Sequence, residues 1–330
     1  MPRILLAYSR PARFVQLDRD ILRERFAVEE WEQPGRLANP LRLVPAVRRA
    51  DLVFGWFASW HTFLPVTLAW LLGKPSLLVV GGFDVAALPE IGYGYQQGGP
   101  QRWLSRWVMA RATLLVVNSE FSRREVEANV GLRGKQVRVV YHGVPDELGE
   151  LDGGEREPGA LTVSAVARLS LERKGLRPFV ETGALLPEMP FVLVGEWQDD
   201  AIEELRRRAA PNVSFRGWLS REALDDELRR AAVYVQASRH EGFGLAVAEA
   251  MLAGCIPVVT AVGALPEVVG EAGVRIEGAE PEQIAAGIRR ALELGEGARR
   301  QARERILRHF PLERRRDALL ELVDALLARA

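Results

Sequence analysis

The chain has 330 residues, of which 48% are hydrophobic and 27% charged, with equal numbers of acidic and basic side chains. This length predicts two domains of ordinary size, and the composition excludes a disordered or fibrous protein. The longest apolar run, residues 63–73, is broken by Pro65 and falls short of the roughly 20 residues that cross a bilayer, while a single cysteine, Cys255, excludes a disulfide framework.

Charge is distributed unevenly along the chain. Residues 1–148 carry 19 Lys and Arg against 14 Asp and Glu, whereas the remainder carries 25 against 30. A modest basic excess can steer an anionic partner or a membrane surface. The first residues, MPRILLAYSR, contain no long apolar region before a cleavage site, so we expect a cytoplasmic protein rather than an exported one.

Ten short apolar runs recur along the chain, separated by segments with helical spacing. They lie at 3–7, 51–55, 76–82, 113–119 and 136–143 in the first half, and at 160–167, 190–196, 212–215, 232–238 and 256–260 in the second. Continuous apolar strands that alternate with helices indicate parallel sheets covered on both faces.

We therefore predict an α/β architecture of two Rossmann-like domains, 1–148 and 160–330, which face a central cleft where ligands bind. The linker between them, 149–159, lies in an acidic, glycine-rich segment closed by a proline. The last segment has the spacing of an amphipathic helix, which either completes the second domain or packs back on the first.

One predicted helix of the first half, QRWLSRWVMAR, places Trp103 and Trp107 at i, i+4 spacing, with Arg102 and Arg106 at the same spacing. Tryptophans so placed belong either to the core or to a face that lies on an anionic membrane. The sequence leaves both interpretations open.

In the second half, the segment RHEGFG connects a strand that ends at Ser238 to a helix that begins near Leu245. Gly242 and Gly244 let the backbone approach a ligand, and the free N–H groups of the helix favour an anion. We expect this loop to bind phosphate. The alternative is an ordinary strand-to-helix turn in which Phe243 packs inward.

Two glutamates flank this glycine loop. Glu249 lies about one turn inside the helix, so its carboxylate can reach back over the loop towards Glu241. Because carboxylates repel phosphate, we expect both to accept hydrogen bonds from ligand hydroxyls. A diphosphate with a polyol at each end, as in a nucleotide sugar, fits this arrangement.

Two cations are expected at the same edge of the sheet. Arg168 ends the first strand of the second half, and Lys174 lies on the loop beyond it. Together they can neutralise a diphosphate leaving group.

These motifs resemble a known family. VARLSLERKG, VSFRGWL, YVQASRHEGFGLAVAEAMLAGCIPVV and GALPEVV are similar to the successive motifs of retaining GT-B glycosyltransferases of family 4, which carry an E-x7-E motif. The similarity is close over 160–270 and looser before it. It implies metal-independent transfer of a sugar from a nucleotide-diphosphate sugar to a hydroxyl acceptor, which is a glycan, a lipid-linked molecule or a small molecule.

The resemblance also implies roles for individual residues. Arg168 and Lys174 hold the donor diphosphate, Glu241 binds the donor sugar near the reacting centre, and Glu249 holds the ribose. The remaining donor-binding candidates are the backbone of the glycine loop and, beside the nucleobase, two residues further upstream: Gly242, Phe243, Gly244, Leu245, Gly217 and Trp218.

No metal and no cofactor are implied by the resemblance. Asp18-Arg19-Asp20 matches the D-x-D pattern of metal-dependent transferases, but its surroundings, LDRDILRERF, indicate a solvated helix face. We therefore assign no metal ligand there.

The first half departs from the family pattern. Arg10 and Arg13 occupy the loop after the first strand, where many relatives have a glycine-rich loop, and they become candidates for acceptor binding together with His61. Asp84 is the candidate where relatives face the donor sugar, with a helix N-cap as its alternative role. His61 has a packed or capping role as its alternative.

Two other functions remain in competition with a transferase. One is a non-catalytic GT-B subunit that binds a partner enzyme, and the other is a different GT-B enzyme, such as a phosphorylase or a nucleotide-sugar epimerase. We expect no nucleic-acid partner, and we keep peripheral contact with a membrane through the first domain as a possibility to test.

Overall fold

The computed structural model describes residues 1–132, 134–149 and 156–329. The chain forms two compact units, Met1–Gly143 with Leu312–Ala330, and Val144–Pro311. Each unit contains one six-stranded sheet. This confirms the predicted α/β class with two Rossmann-like domains.

All strands pair in parallel within their own sheet. The first sheet has the order β2-β1-β3-β4-β5-β6 and the second the order β12-β11-β10-β7-β8-β9. The strands are β1 (Arg3–Tyr8), β2 (Ala27–Glu32), β3 (Leu52–Trp56), β4 (Ser76–Val80), β5 (Leu114–Val117), β6 (Val137–Val139), β7 (Glu157–Val163), β8 (Phe191–Val194), β9 (Val213–Gly217), β10 (Ala231–Gln236), β11 (Ile256–Thr260) and β12 (Val274–Ile276).

Helices connect these strands and cover the sheets. The α-helices are α1 (Arg13–Arg23), α2 (Pro40–Arg49), α3 (Trp60–Leu71), α4 (Gly99–Arg111), α5 (Glu120–Glu125), α6 (Arg168–Arg173), α7 (Leu176–Thr182), α8 (Ala201–Arg208), α9 (Arg221–Arg230), α10 (Leu245–Leu252), α11 (Leu265–Val269), α12 (Pro281–Glu293), α13 (Gly295–His309) and α14 (Leu312–Leu327).

The first sheet is buried between two layers of helices. One hydrophobic cluster joins it to α2, α3 and α4 through side chains such as Leu43, Val66 and Val108. The other joins it to α1 and α14 through side chains such as Ile21 and Leu319. Because both faces are covered, the central strands β3, β4 and β5 are buried along their whole length.

The second sheet is covered in the same way. A cluster that includes Phe179, Phe191 and Ile288 packs α7, α8 and α12 on the sheet. Helix α10 packs on β10, β11 and α13. This places the N-terminus of α10 at the carboxyl edge of the second sheet, where parallel sheets bind their ligands.

The units divide at a different point from the predicted domains. We predicted domains over 1–148 and 160–330, but the second unit begins at Val144 and ends at Pro311. Helix α14 packs on α1 in the first unit. Most of the predicted linker, residues 150–155, lies outside the described residues.

Asp18 corrects one prediction from the sequence. It was assigned to a solvated helix face, but its side chain is completely buried in the first unit. Its carboxylate accepts two hydrogen bonds from the guanidinium of Arg315. The apparent D-x-D pattern therefore contains a carboxylate that belongs to the interior of the fold.

Candidate active site

The glycine loop connects β10 to α10 in the second unit. Gly244 has a φ of +99° and directly precedes the helix. The first intrahelical hydrogen bond runs from the Ala248 N–H to the Gly244 carbonyl at 3.0 Å, so the preceding N–H groups of the first turn have no partner within the helix. Phe243 is buried, with its ring 5.4 Å from that of Phe310. The packed phenylalanine anchors the loop.

A chain of buried polar side chains lies at the start of this loop. The Tyr234 hydroxyl donates to Gln236 Oε1 at 3.0 Å, and Gln236 Nε2 donates to Ser238 Oγ at 2.7 Å. The Thr260 hydroxyl donates to the Ser238 carbonyl at 2.6 Å. These bonds fix the backbone at the point where the chain leaves the sheet.

Lys174 and Glu241 form an ion pair beside the loop. Nζ of Lys174 donates to Oε2 of Glu241, and the two side chains are only 18% and 12% exposed. Burial raises the pKa of Glu241, but the charges of Lys174 and Arg173 outweigh this effect and leave the pKa below its ordinary value. Burial also lowers the pKa of Lys174, against the opposing charge of Glu241. Their mutual attraction stabilises the carboxylate as an anion.

Gly175 brings Lys174 to this position. Its φ is +65°, and a Cβ at this residue would lie 2.1 Å from the Ala237 carbonyl oxygen. The Arg239 N–H donates to the Arg173 carbonyl at 2.8 Å. Close backbone contact between the end of α6 and the end of β10 therefore places the lysine against the loop.

Gly263 supports Glu241 from the other side. Its φ is +61°, and a Cβ there would lie 2.4 Å from the Glu241 carbonyl oxygen. The same oxygen accepts a hydrogen bond from the Ala264 N–H at 2.9 Å. The segment before α11 thus fixes the backbone that carries the catalytic candidate.

Glu249 lies one turn inside α10, as predicted. Its Oε2 is 3.2 Å from Nη1 of Arg221, the first residue of α9. Asp225 also contacts this guanidinium, at 2.6 Å. Burial lowers the pKa of Arg221, but the two carboxylates outweigh this effect and raise it. Arg221 therefore remains a cation and orients Glu249.

Arg168 is placed differently from the prediction. Strand β7 ends at Val163, so Arg168 begins α6 rather than ending a strand. Its side chain is 69% exposed and pairs with Asp200 at 2.7 Å. Asp199 accepts a hydrogen bond from the backbone N–H of Arg168 at 2.9 Å. Arg168 thus lies near the carboxyl edge of the sheet, where it is paired with Asp200.

Gly217 is the last residue of β9 and Trp218 follows it, at the same edge of the sheet. Gly217 has a φ of +64°, and Trp218 is 75% exposed. Trp197 lies beside Gly217, and the ring of Trp197 has its centre 4.5 Å from the guanidinium carbon of Arg206. Trp218 is thus not a residue of the core of the second unit.

Comparisons with known proteins agree with these motifs. Residues 160–294 match the family described as "Glycosyl transferases group 1", and residues 4–148 match "Glycosyltransferase Family 4". The chain belongs to glycosyltransferase family 4. The two matched regions cover most of both units.

Individual relatives of this family 4 glycosyltransferase differ in what they act on. The O-antigen chain mannosyltransferase B of Escherichia coli is 33% identical over 37% of this chain and 34% of its own length. A glycogen synthase of Mycobacterium tuberculosis is 26% identical over 81% of this chain and 70% of its own length.

Solved structures share the GT-B fold of the glycosyltransferase. Sucrose-phosphate synthase from Thermosynechococcus elongatus superposes with a TM-score of 0.80 at 19% identity and covers 100% of both chains. HepE of Anabaena, solved with UDP and glucose, superposes with a TM-score of 0.79 at 16% identity and covers 98% of this chain and all of its own.

Asp84 of the glycosyltransferase is enclosed in the first unit. Its carboxylate accepts hydrogen bonds from the N–H groups of Ala58 at 3.0 Å and Gly81 at 3.2 Å. Burial raises the pKa of Asp84 to about 6, although these two amides lower it. The side chain therefore joins the ends of β3 and β4, which accounts for an aspartate here without a ligand.

The acceptor candidates of the first unit lie in two kinds of environment. His61 is buried, and its Nε2 donates to the Trp56 carbonyl at 2.6 Å. Burial lowers the pKa of this histidine, only partly offset by that bond. Arg10 is exposed on the loop after β1, and Arg13 is half-buried at the start of α1.

Three residues of the site were not predicted from the sequence: Gly175, Gly263 and Arg221. Both glycines stand inside motifs that carried the family resemblance, LERKG and GALPEVV, so their importance was visible but their role was not. Arg221 follows the predicted nucleobase loop, and no spacing rule links it to Glu249.

Neither a metal site nor a membrane span is found in the described residues. They contain no group of three or more His, Cys, Asp or Glu side chains placed to hold a metal ion. In the same part of the chain, every helix is too short or too polar to cross a membrane.

Proposed function

We propose that the chain transfers a hexosyl group from a nucleotide-diphosphate sugar to a hydroxyl group, with retention and without a metal ion. The observation that carries this proposal is the Lys174–Glu241 pair beside the N-terminus of α10. A cation, a carboxylate and a helix N-terminus around one loop provide for both the phosphates and the sugar of a single donor. Family membership supports the same activity.

The donor diphosphate is assigned to Lys174, Arg168 and the backbone over 242–245. Lys174 is distinctive among the three lysines of the chain, because Lys74 and Lys135 donate to main-chain carbonyls. An entering diphosphate competes with Glu241 for Lys174 and with Asp200 for Arg168. Negative charge grows on the diphosphate as its bond to the sugar breaks, so these cations contribute most in the transition state.

The hydroxyl groups of the donor are assigned to the two glutamates. Glu241, freed from Lys174, accepts hydrogen bonds from the transferred sugar. Glu249, oriented by Arg221 at 3.2 Å, accepts them from the ribose. The nucleobase is assigned to Gly217 and Trp218, since the exposed indole of Trp218 is free to stack on a planar ring.

The transfer step needs only the two substrates and these side chains. The bond between the anomeric carbon and the phosphate oxygen breaks, and a bond to the acceptor oxygen forms on the same face. The proton of the acceptor hydroxyl passes to the leaving phosphate oxygen. Lys174 and Arg168 stabilise the charge that remains on the diphosphate.

The acceptor is assigned to the first unit and is a glycan, a lipid-linked molecule or a small molecule. Arg10 and Arg13 are the binding candidates, because their side chains lie at the carboxyl edge of the first sheet. Asp84 and His61 shape this edge through their bonds to the backbone. A cytoplasmic location is part of the proposal.

A screen of nucleotide sugars tests the proposal. UDP-, GDP- and ADP-hexoses are added separately, and the melting temperature and the hydrolysis of each donor are measured. At 100-fold excess over Kd, a donor stabilises the protein by about 2.7 kcal/mol. Failure of every donor to shift the melting temperature at millimolar concentration would contradict a transferase.

The same screen separates the competing functions. A non-catalytic subunit either binds no donor, or binds one but neither hydrolyses it nor transfers its sugar to any acceptor. A phosphorylase releases sugar 1-phosphate from a glycan and inorganic phosphate, and a pyridoxal phosphate enzyme needs a lysine free to form a Schiff base. Lys174 is instead committed to Glu241.

A further inference from the structure

Three consecutive α-helices of the first unit contain no acidic residue. They are α2, α3 and α4, with the sequences PLRLVPAVRR, WHTFLPVTLAWL and GPQRWLSRWVMAR. Every other α-helix in the described part of the chain contains at least one Asp or Glu. The arginines of α2 and α4 therefore have no counter-charge on their own helices or on α3, although Arg49 of α2 pairs with Glu29 of β2 at 2.8 Å.

These helices contact one another and cover one face of the first sheet, α2 against α3 and α3 against α4. Their outer surface exposes large apolar side chains on or next to all three helices: Leu37, Leu41, Trp70, Leu71, Leu72 and Trp103. Among the described residues of the first unit, only Met1 otherwise exposes a large hydrophobic side chain to this extent. We call this surface the α2–α4 face.

Aromatic rings and a guanidinium are stacked along this face. Trp103 is 58% exposed, and its ring lies 5.3 Å from that of Trp107. The guanidinium carbon of Arg111 lies 3.0 Å from the centre of the Trp107 ring and 4.8 Å from that of Trp70. Tryptophan and arginine in contact at a surface are typical of the membrane interface, where indoles enter the headgroup region and cations meet phosphates.

A cavity of about 460 Å³ adjoins the exposed Trp70. Arg111 and Arg329 line it, together with Lys74 and Lys135, whose amines already donate to main-chain carbonyls. Such a cavity favours an anionic group, and it lies beside the apolar residues at the end of α3. Apolar side chains that can insert into a bilayer and cations that can bind phosphate therefore lie next to each other on this surface.

We propose that the α2–α4 face docks on a lipid bilayer that carries anionic phospholipids. Its leucines and tryptophans enter the headgroup region, and its arginines bind the lipid phosphates. A second copy of the chain is a poorer occupant, because two acid-free faces rich in arginine repel each other. This docking is independent of the donor site in the second unit.

Vesicle sedimentation tests the docking. The intact protein is mixed with vesicles of phosphatidylcholine, and with vesicles of equal parts phosphatidylcholine and phosphatidylglycerol. We expect binding to the anionic vesicles, weakened by salt because exposed charges are screened. Absence of binding to anionic vesicles at low salt overturns the proposal.

Matched variants locate the surface. Trp103→Ala lowers the partition onto anionic vesicles by about tenfold through lost apolar burial, and Arg42→Gln lowers it by about fivefold through a lost cation. Leu307→Ala and Arg290→Gln, exposed positions of the second unit, leave it unchanged. Equal effects from both sets overturn the assignment to this face.

Two further measurements keep the result interpretable. The circular dichroism and melting temperature of each variant show that the fold is retained. Light scattering shows the oligomeric state, and a dimer that Trp103→Ala dissociates, without vesicle binding by the intact protein, would overturn membrane docking in favour of self-association.

Discussion

Asp18 and Arg315 form a buried bidentate ion pair although they are 297 positions apart in the chain. Nε and Nη2 of Arg315 donate to the two carboxylate oxygens at 2.6 and 2.7 Å. The third nitrogen, Nη1, donates to the Val140 and Tyr141 carbonyls at 3.0 and 3.1 Å. This single side chain therefore connects α14 to α1 and to the end of β6.

Loss of Arg315 is expected to destabilise the first unit strongly. Arg315→Met leaves the Asp18 carboxylate buried without its cation, at a cost of about 3–5 kcal/mol. Arg316→Met is the matched control, because Arg316 pairs with Asp317 at the surface, and it should change stability by less than about 0.5 kcal/mol. Urea unfolding measures both, and equal midpoints for the two variants would contradict a structural role for the buried pair.

Lys174 and Glu241 are expected to act as a unit in transfer. Lys174→Met removes the cation from the leaving group and should lower kcat by about 100-fold or more, as should Glu241→Gln. Because the two side chains are paired, the double variant should be little worse than either single one. Glu203→Gln, on the surface of α8, is the control and should retain full activity.

These rates are measured with the donor that the screen identifies. Strictly additive losses in the double variant would show that the two side chains act independently. If Lys174→Met transfers the sugar at the wild-type rate, the lysine has no role in the mechanism.

Gly175 is expected to be required for the position of Lys174. The Cβ of an alanine there would lie 2.1 Å from the Ala237 carbonyl oxygen, and the alanine would also have to adopt a φ of +65°. Gly131→Ala is a matched control, since Gly131 has a φ of +72° with open space around its Cβ. We expect Gly131→Ala to lower the free energy of unfolding by about 1 kcal/mol through backbone strain. Gly175→Ala should lower it by about 1–3 kcal/mol more, because of the steric clash.

Donor affinity distinguishes a local effect from general destabilisation. Gly175→Ala should weaken donor binding at a temperature where the variant is still folded, whereas Gly131→Ala should not. Equal unfolding costs and unchanged donor affinity would show that the chain adjusts at Gly175 without moving Lys174.

Asp84 is expected to link the stability of the first unit to pH. Its folded pKa of about 6 lies above the ordinary value of 3.8, so between these values the folded carboxyl is protonated while the unfolded one is ionised. Folding then takes up a proton, and the contribution of Asp84 to stability falls as pH rises through about 6, by at most about 3 kcal/mol.

Two measurements check this pH dependence. NMR of labelled aspartate carboxyls should show one group that titrates near pH 6 and disappears in Asp84→Asn. The free energy of unfolding of the wild type relative to this variant should decrease between pH 4 and 7 or so, because only the wild type binds the extra proton on folding. If the stability of the wild type relative to Asp84→Asn increases over this range, folding lowers the pKa of Asp84 instead of raising it.

The strands predicted from the sequence are the eight inner strands of the two sheets and the edge strands β6 and β9. All ten apolar runs overlap a strand of the structure. The inner strands are easy to recognise, because a strand covered by helices on both sides must be continuously apolar. The two strands that were missed, β2 and β12, are edge strands. Strand β2, AVEEWE, faces solvent along much of its length, so its sequence lacks the apolar pattern.

The loop of the site was predicted for a related reason. Its glycines, its flanking glutamates and the helix that follows are contiguous in the chain, so local geometry places them together. The side-chain partners were not predicted. Spacing alone did not show that Arg221 would orient Glu249 or that Arg168 would pair with Asp200.

The sequence by itself determined the alternation of buried strands and helices, the glycine loop at the mouth of α10 and the identity of the charged residues near it. These depend on short-range periodicity and turn geometry. Tertiary structure alone decided that Lys174 meets Glu241, that Asp18 is buried against Arg315 and that α14 belongs to the first unit. The reason is that burial and pairing of a charge depend on partners far away in the chain, whereas an isolated segment containing that charge looks the same whether it faces water or the core.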